Sequence, residues 1–388
     1  MGGDGADCSL TVETVASLSA IAPDEWDRLA VPDPARMNPF VRHAFLSALE
    51  RSGSVGPGTG WTPCHLTVRR AGALIAAAPA YLKDHSFGEY VFDHDWADAY
   101  ARAGGRYFPK LLCAVPFTPA PGPRLLSEDD QSQNILAQSL ITATQQLGLS
   151  SVHVNFADDD TALLRAGFLS RSGVQFHWLN RGYDSYDAFL ETLASRKRKA
   201  LKRERREAAE GLTFHRIAGR EIEEKHWDVF WRFYQDTGAR KWGQPYLTRS
   251  FFSILGETMR DEILLVFAES GGRAIAGALN LIGGDALYGR YWGRVEDRPF
   301  LHFEVCYHQA IDFAIERGLA RVEAGAQGEH KLARGYEPVI TRSAHWIADP
   351  GFRAAVARYL DAERRQVETE AVALAAETPY RRDEAQPH

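Results

Sequence analysis

Two stretches of this sequence align with each other: "GLSSVHVNFADDDTALLRAGF" at residues 148–168 and "GLARVEAGAQGEHKLARGY" at residues 318–336. Both open with a short apolar run and then keep a leucine, an arginine, a glycine and an aromatic residue in the same order. The second stretch is two residues shorter. The match predicts that one structural unit is used twice.

Five further matches keep the same order along the chain, which a chance resemblance would not do. They pair "LTVETV…EWD" (10–27) with "LTFHRI…HWD" (212–228), "NPFVRHAFLSAL" (38–49) with "QPYLTRSFFSIL" (244–255), "HLTVRRAGALIAAAPAYL" (65–82) with "LLVFAESGGRAIAGALNL" (264–281), "YVFDHDWA" (90–97) with "LYGRYWG" (287–293), and "FHW" (176–178) with "AHW" (344–346).

The repeat predicts two homologous domains and a coarse element order. Each unit has the pattern strand, two helices, three strands, long helix, strand, short helix, strand. The "GGRA" sequence at 271–274 predicts a hairpin turn, and the long helix of the second copy is predicted over 302–317. We predict a first domain over 9–182, a basic helical linker over 183–211 that includes one helix at 185–210, a second domain over 212–350 and a C-terminal helix over 351–376.

Composition limits the classes of function. The 388 residues are 45% hydrophobic and 25% charged, as in ordinary globular proteins, and the net charge of −6 gives no global attraction to nucleic acids or anionic membranes. The four cysteines are far apart and lack metal-ligand spacing, so we expect buried free thiols. Neither a signal-peptide pattern nor a run of 18 apolar residues is present, so we expect a cytoplasmic protein without a membrane span.

The order of elements resembles the GNAT acyltransferase fold, an α/β (α+β) architecture, used twice. Such a tandem resembles the FemAB-like proteins, and within them the bacterial group associated with peptidoglycan biosynthesis or recognition. The resemblance is carried by "PFTPAPGPRLL" (116–126), "LYGRYWG" (287–293), "RPFLHFEVCYHQAIDFAIERGL" (298–319) and "GAQGEHKLARGYEPV" (325–339).

The resemblance implies an N-acyltransferase with its site between the two domains, mainly on the second. The donor that it favours is acyl-CoA or acetyl-CoA, and the acceptor is a small-molecule or peptide amine; no metal is expected. One alternative is Fem-type transfer from aminoacyl-tRNA to a peptidoglycan precursor. The other is a non-catalytic module that binds a cell-wall precursor.

Neither copy keeps the glycine-rich loop by which GNAT enzymes hold the donor pyrophosphate. The first copy has prolines at four positions of "VPFTPAPGPRLL", and proline has no N–H to donate. Arg124 in that loop is a candidate phosphate ligand. The second copy has "VEDRPFLHFE", with no glycine between Arg294 and Glu304. CoA would therefore have to bind without the usual glycine-rich loop.

Glu329, His330 and Lys331 are present in the second copy and absent from the first. Because two copies share a scaffold, polar residues found in one alone favour a function. Glu329 or His330 is a candidate base, and Lys331 resembles the lysine that Fem-type enzymes carry before a glycine–aromatic pair, where it would stabilise an oxyanion or a leaving group. The alternative is the solvated first turn of a short helix, which Gly335 would end.

Further candidates lie elsewhere in the second copy, each with a structural alternative. His302 and Glu304 precede the long helix and are either catalytic or a capping pair. The candidates for substrate binding are Tyr291, Trp292, Arg334, Lys241 and Trp242, against roles in the core or in a helix connection.

The run "SRKRKALKRERRE" at 195–207 holds eight basic residues against two glutamates. At helical spacing Arg196, Lys199, Arg203 and Arg206 share one face, which predicts a site for tRNA or another polyanion with salt-dependent affinity. The alternative is a solvated linker helix whose arginines pair with acidic neighbours.

Overall fold

The computed structural model describes residues 9–241, 245–325 and 328–381. The chain forms two compact units. Unit 1 comprises the chain up to Gly173 together with Tyr246–Ile254 and Thr341–Val367, and unit 2 comprises Val174–Pro245, Leu255–Ile340 and the chain from Glu368 onward.

The predicted boundaries at 182, 212 and 350 divide the sequence into continuous segments. The two observed units differ from this, because each is built from separate segments of the chain. The difference has a physical cause at the end of the second repeat. Residues 342–347 form an antiparallel ladder with residues 151–157, and this backbone pairing places them in unit 1.

The first half of the chain contains nine strands and five α-helices within the described residues. The strands are β1 (Leu10–Val15), β2 (Trp61–Pro63), β3 (His65–Arg70), β4 (Ala73–Ala78), β5 (Ala80–Lys83), β6 (Lys110–Cys113), β7 (Leu126–Ser127), β8 (Ser151–Ala157) and β9 (Leu169–Leu179). The helices are α1 (Pro23–Ala30), α2 (His43–Arg51), α3 (His94–Arg102), α4 (Asp130–Gln146) and α5 (Thr161–Arg165).

The rest of the described chain repeats this order after two linking helices. Its helices are α6 (Tyr186–Glu191), α7 (Ser195–Ala208), α8 (Glu224–Lys241), α9 (Arg249–Thr258), α10 (Leu301–Phe303), α11 (Gln309–Arg317) and α12 (Pro350–Ala376). Its strands are β10 (Thr213–Ala218), β11 (Ile263–Ser270), β12 (Arg273–Ile282), β13 (Ala286–Arg294), β14 (Arg321–Glu323) and β15 (Tyr336–Ile347).

Unit 1 contains two sheets with a helix-covered core. One sheet has the order β1-β3-β4-β7, and the other runs from the end of β15 through β8, β6 and β5 to β2. All described pairs are antiparallel except β6 with β8. The apolar stripe of α4, including Leu136 and Leu140, packs with Leu111 and Val152 in one core.

Unit 2 contains one sheet in the order β10-β11-β12-β13-β14-β9. Here β13 and β14 are parallel, and the remaining described pairs are antiparallel. Its core lies between one sheet face and the long helix: Leu287 and Val322 from the strands pack with Val305 and Ile311, which the predicted helical stripe contains. Within the described residues no helix is long and apolar enough to cross a membrane.

The predicted hairpin turn and helix end are confirmed. Gly271 and Gly272 connect β11 to β12 with φ of 55° and 78°, a conformation that residues with a Cβ rarely adopt. Gly335 ends the 3-10 helix Glu329–Arg334 with φ of 83°.

The prediction of one helix over 185–210 is wrong, because the chain forms α6 and α7 instead. Between them Ala194 has extended backbone and its N–H donates to Pro379 at 2.9 Å. The Arg381 N–H donates to Thr192 at 2.9 Å. These bonds to the C-terminal segment use backbone groups that a continuous helix would need.

The predicted long helix over 302–317 is interrupted by a π-helical segment at Glu304–His308, which lies between α10 and α11. Such a segment inserts an extra residue into the helix and rotates the side chains on either side of it. Cys306 and Tyr307, which belong to this segment, line the cavity described below.

Candidate active site

The sheet of unit 2 opens where two parallel strands separate. β13 and β14 pair at three positions, of which Tyr288 with Glu323 is the last, and β13 then continues to Arg294 whereas β14 ends. The register between β12 and β13 shifts here: Leu279 pairs with Tyr291 and Asn280 with Gly289, so β13 carries one extra residue, Arg290, at this bulge. The parallel pairing of β13 with β14 therefore ends at Tyr288 and Glu323, at the edge of the cavity described next.

A cavity of about 80 Å³ lies at this opening. One water requires about 10–15 Å³ measured in the same way, so the cavity has room for a group of several heavy atoms. Residues from the strands, from α10 and from the π-helical segment form its walls, and they include Asn280, Tyr291, Trp292, His302, Cys306 and Tyr307.

Aromatic rings line the helical side of the cavity. The His302 ring lies 4.4 Å from that of Trp292 between centroids and 5.3 Å from that of Tyr307. The Tyr307 hydroxyl is 2.9 Å from Nε2 of His330. Burial raises the pKa of Tyr307, so its hydroxyl stays protonated. The structure thus brings three of the predicted site residues together.

Lys331 is 1% exposed and its ammonium donates to the Gly325 carbonyl at 2.8 Å. Burial lowers the pKa of Lys331 to about 8, while the nearby Cys306 thiol acts in the opposite direction. Because Cys306 lines the cavity, Lys331 lies within electrostatic reach of a ligand there. The pKa of His330 is also lowered, by burial and then by Arg334 and Lys331, which favours the neutral imidazole.

The corresponding place in unit 1 is closed by its own loop. β6 and β8 are parallel up to Cys113 with Val154, and the Gly122 N–H then donates to Phe156 at 3.1 Å. Arg124 is 2% exposed and donates to the carbonyls of Asn155 at 2.9 Å and Ala120 at 2.7 Å. Arg124 therefore holds the loop in the gap between the strands, which argues against its predicted role as a phosphate ligand.

Arg334 does not line the cavity but forms a buried network beneath it. Its guanidinium donates to both carboxylate oxygens of Glu204 at 2.8 and 2.6 Å and lies 3.3 Å over the Phe303 ring. Glu204 also contacts Nε2 of His308 at 2.8 Å. Burial opposes ionisation of Glu204, but the hydrogen bonds from His308 and Arg334 prevail and lower its pKa. Arg334 thus anchors the 3-10 helix that carries His330 and Lys331.

Glu304 has a structural partner in place of a substrate. It is 2% exposed and accepts from Arg205 at 3.0 and 3.2 Å and from Gln309 at 2.8 Å. Arg205 also donates to Asp312 at 2.7 Å. The geometry favours neither of the two predictions for Glu304, a catalytic group or a helix cap, because both carboxylate oxygens are used in an ion pair.

Three predicted site residues lie partly or wholly outside the described structure. Trp242 is outside the described residues, and the side chains of Lys241 and Glu329 are outside the description of α8 and of the 3-10 helix. The basic residues Arg196, Lys199, Arg203 and Arg206 are all exposed on α7, and Arg203 pairs with Glu207 at 2.5 Å.

Sequence reasoning missed several groups at the opening, namely Asn280, Cys306, Tyr307, Glu323 and its strand neighbour His177. Cys306 was expected to be buried, yet it is half-buried and lines the cavity. A single glutamate in an apolar run, as at Glu323, gave no local signal. The lack of Cys306 and Tyr307 from the first copy was a usable signal, since "VCYH" has no counterpart there.

Solved structures show that this fold occurs elsewhere. FemX aligns with a TM-score of 0.54 and 13% identity, covering 87% of this chain and 98% of its own. A conserved protein of unknown function from Bacteroides thetaiotaomicron aligns with a TM-score of 0.52 and 10% identity, covering 86% and 99%. A tandem GNAT protein from the clavulanic acid biosynthesis pathway gives a TM-score of 0.47 at 11% identity, covering 88% and 99%.

No curated protein matches the sequence significantly. The comparison with family profiles, in contrast, gives a match over residues 17–382, which is nearly the whole chain. The matched family is described as acting in peptidoglycan biosynthesis or recognition. The chain belongs to the FemAB-like family.

Proposed function

We propose that this protein is an N-acyltransferase whose reaction takes place at the opening between β13 and β14 of unit 2. The observation that carries the proposal is the separation of the two strands after Tyr288 and Glu323, with a cavity lined by polar and aromatic side chains at that point. The matching gap of unit 1 is filled by Arg124 and its loop. The chemistry is therefore assigned to the second repeat.

An acyl thioester, acetyl-CoA or another short acyl-CoA, is the donor that the cavity suits. Its volume of about 80 Å³ accepts a small acyl group more readily than a long chain.

Lys331 supplies positive charge for the developing oxyanion or the leaving group. Its pKa of about 8 is close to the ordinary thiol value of about 8.5, so a proton passes between the two at little cost. The Tyr307 hydroxyl, held by His330, fixes the wall of the cavity beside the acyl group.

The acceptor is a primary amine of a small molecule or a peptide. The description of the family, peptidoglycan biosynthesis or recognition, favours the amine of a cell-wall peptide precursor. A peptide amine must lose a proton before or during attack, so the site also requires a proton acceptor.

A second candidate function is transfer of an aminoacyl group from tRNA, and the exposed basic face of α7 favours it. Arg196, Lys199 and Arg206 are exposed there, in a chain whose net charge is −6. A local basic face of this kind binds a polyanion through counterion release, with an affinity that falls as salt rises.

Thermal melting of the purified protein against acetyl-CoA, a long-chain acyl-CoA, free CoA and bulk tRNA tests the donor class. Binding to the folded state raises the melting temperature by mass action. The acyl-CoA proposal predicts a shift with acetyl-CoA that persists at high salt, followed by a mass increase of an added peptide amine. A salt-sensitive shift with tRNA alone would favour aminoacyl transfer, and no shift with any ligand would favour a binding module.

A further inference from the structure

Two buried polar groups face each other at the point where the strands separate. Glu323 is the last paired residue of β14, and His177 of β9 is its cross-strand partner on the other side. Oε2 of Glu323 and Nε2 of His177 are 3.7 Å apart, and neither atom has a hydrogen-bond partner in the described part of the chain. Their side chains are only 6% and 7% exposed.

Leaving these two buried atoms without hydrogen bonds lowers the stability of the folded state, and packing gives no reason for it. A buried polar atom without a hydrogen bond typically costs about 1–3 kcal/mol, so native proteins satisfy nearly all of them. Here two such atoms lie 3.7 Å apart. Glu323 directly precedes Ala324, which lines the cavity, and its carbonyl oxygen lies 3.6 Å from the place of a Cβ on Gly289, another cavity residue. The gap of 3.7 Å is too long for a direct hydrogen bond, so Oε2 of Glu323 is left able to take a proton.

The other oxygen of Glu323 is fixed. Oε1 accepts from Nε of Arg321 at 2.9 Å, and Arg321 is itself held by the Asp285 carboxylate and donates to the Tyr288 hydroxyl at 3.2 Å. The carboxylate is thereby oriented with one oxygen bound and one unbound. The charged and titratable groups that act on the pair are Arg321, Asp285, Tyr288, Arg290 and, toward His177, Lys331.

Burial, opposed in part by Arg321, raises the pKa of Glu323 to about 7, and burial together with Arg321 and Lys331 lowers the pKa of His177 to about 3. The imidazole is therefore neutral under ordinary conditions. A carboxylate that exchanges its proton near neutral pH is suited to general base catalysis, because efficiency is greatest when the pKa lies near the working pH.

We propose that Glu323, oriented by Arg321 and supported by neutral His177, is the base that takes the proton of the acceptor amine. The inference rests on the acyltransferase proposal above. As the amine nitrogen attacks the thioester carbonyl, its proton passes to Oε2 of Glu323 and a C–N bond forms. The C–S bond then breaks with its electron pair on sulphur, and the Lys331 ammonium protonates the thiolate.

The earlier candidates are less well placed for this step. The Glu304 carboxylate is occupied by Arg205 and Gln309. Nε2 of His330 is already in a hydrogen bond with the Tyr307 hydroxyl at 2.9 Å. Oε2 of Glu323, in contrast, is buried and has no hydrogen-bond partner in the described part of the chain, and Glu323 adjoins the cavity residue Ala324.

The test compares Glu323→Gln and His177→Gln with Glu337→Gln as matched control. Glu337 is a carboxylate of the same unit that pairs with Arg181 at 2.6 Å. Difference infrared spectra from pH 5 to 9 follow the carbonyl band of protonated carboxyl groups, and turnover with acetyl-CoA and a peptide amine follows the reaction. Circular dichroism melts check that each variant folds.

Burial also raises the pKa of Glu89 to about 7, so Glu89 contributes to the carboxyl band as well. We therefore expect the band that titrates near neutral pH to be clearly smaller in Glu323→Gln than in the unsubstituted protein, in His177→Gln and in Glu337→Gln. We expect Glu323→Gln to lower kcat by about a hundredfold or more with acetyl-CoA binding unchanged. A titrating band of equal size in Glu323→Gln and in the unsubstituted protein, or turnover of Glu323→Gln within threefold at all pH values, would overturn the inference. Lack of turnover in the unsubstituted protein would contradict the acyltransferase proposal, whereas the infrared result would still decide the state of Glu323.

Discussion

Tyr288 of β13 and Glu323 of β14 are the last residues that pair before these parallel strands separate. In unit 1, Cys113 and Val154 are the last pair of the corresponding strands, and there the loop of Arg124 occupies the gap. The same fold element therefore has an open and a closed form in one chain. This difference explains why one repeat can hold a ligand at the strand ends while the other serves as a scaffold.

Replacing Gly289 by alanine should weaken donor binding without unfolding the protein. A Cβ at this position would meet Oδ1 of Asn280 at 3.5 Å and Cα of Ala324 at 3.6 Å, which are ordinary contacts, yet the methyl group would enter the cavity. Since Gly to Ala in a strand interior gains about 0.5–1 kcal/mol, stability should be unchanged or slightly higher. We expect at least a tenfold rise in the Kd of acetyl-CoA by calorimetry.

Gly351→Ala is the matched control, because its Cβ would meet only the flexible Asp349 carboxylate, at 3.3 Å. The control should bind acetyl-CoA as the unsubstituted protein does. Equal affinity of Gly289→Ala and the control would place the donor somewhere other than the opening between β13 and β14.

Lys331→Met should stabilise the protein at neutral pH while abolishing efficient turnover. Burial lowers the pKa of Lys331 from 10.5 to about 8, so the folded state disfavours the ammonium, by about 3 kcal/mol at one pKa unit per 1.36 kcal/mol. Loss of the hydrogen bond to Gly325 offsets about 1 kcal/mol, which leaves a net gain of about 2 kcal/mol at pH 7.

Because the pKa of Lys331 is lowered in the folded state, its ammonium destabilises the fold, and the size of this effect depends on pH. Below pH 8 both states carry the proton and the full penalty applies; above it the folded state loses the proton while the unfolded state keeps it until 10.5. Urea denaturation should therefore show the advantage of Lys331→Met at pH 7 and its loss by pH 10. An advantage independent of pH would show that burial does not affect this ammonium.

Arg334→Met should destabilise unit 2, because it leaves Glu204 buried without its bidentate partner. Breaking a buried ion pair on one side costs about 3–5 kcal/mol. The double variant with Glu204→Gln should recover a part of this loss, as a double-mutant cycle measures. Arg203→Met on the exposed face of α7 is the control and should cost less than about 0.5 kcal/mol.

The repeated pattern predicted the tandem fold because it depends on periodic apolar residues and on glycines such as Gly335, whose effects are local. His302 and Lys331 were site candidates because the second repeat differs from the first there, and Trp292 was a candidate through the resemblance to GNAT enzymes. The structure places the rings of His302 and Trp292 4.4 Å apart. What the repeated pattern could not predict are pairs between residues far apart along the chain. Glu304 meets Arg205 across 99 positions, and no spacing rule connects them.

The partners of the proposed base Glu323 and of Arg124 in unit 1 could not be predicted from the sequence either. Glu323 and His177 become neighbours only when β14 pairs with β9, 146 positions apart in sequence. Arg124 resembles a phosphate ligand in the sequence, but its donors are taken by backbone carbonyls that its own loop supplies. Which partner a charged group finds is decided by the tertiary fold, not by residue type.

If tRNA is the donor, removing the basic face of α7 should weaken its binding in a salt-dependent way. The triple variant Arg196→Ala, Lys199→Ala and Arg206→Ala removes three exposed charges. The slope of log affinity against log salt should fall by about 2, at about 0.7 per phosphate contact with single strands. Filter binding of bulk tRNA at several salt concentrations measures the slope, and an unchanged slope would exclude this face as the binding site.

The most direct test of the account is a crystal structure with an acetyl-CoA analogue in which a methylene group replaces the thioester sulphur. We predict that its carbonyl group lies in the cavity between Gly289 and Tyr307. An analogue bound at unit 1, or a cavity left empty at saturating concentration, would contradict the assignment of acyl transfer to the opening between β13 and β14.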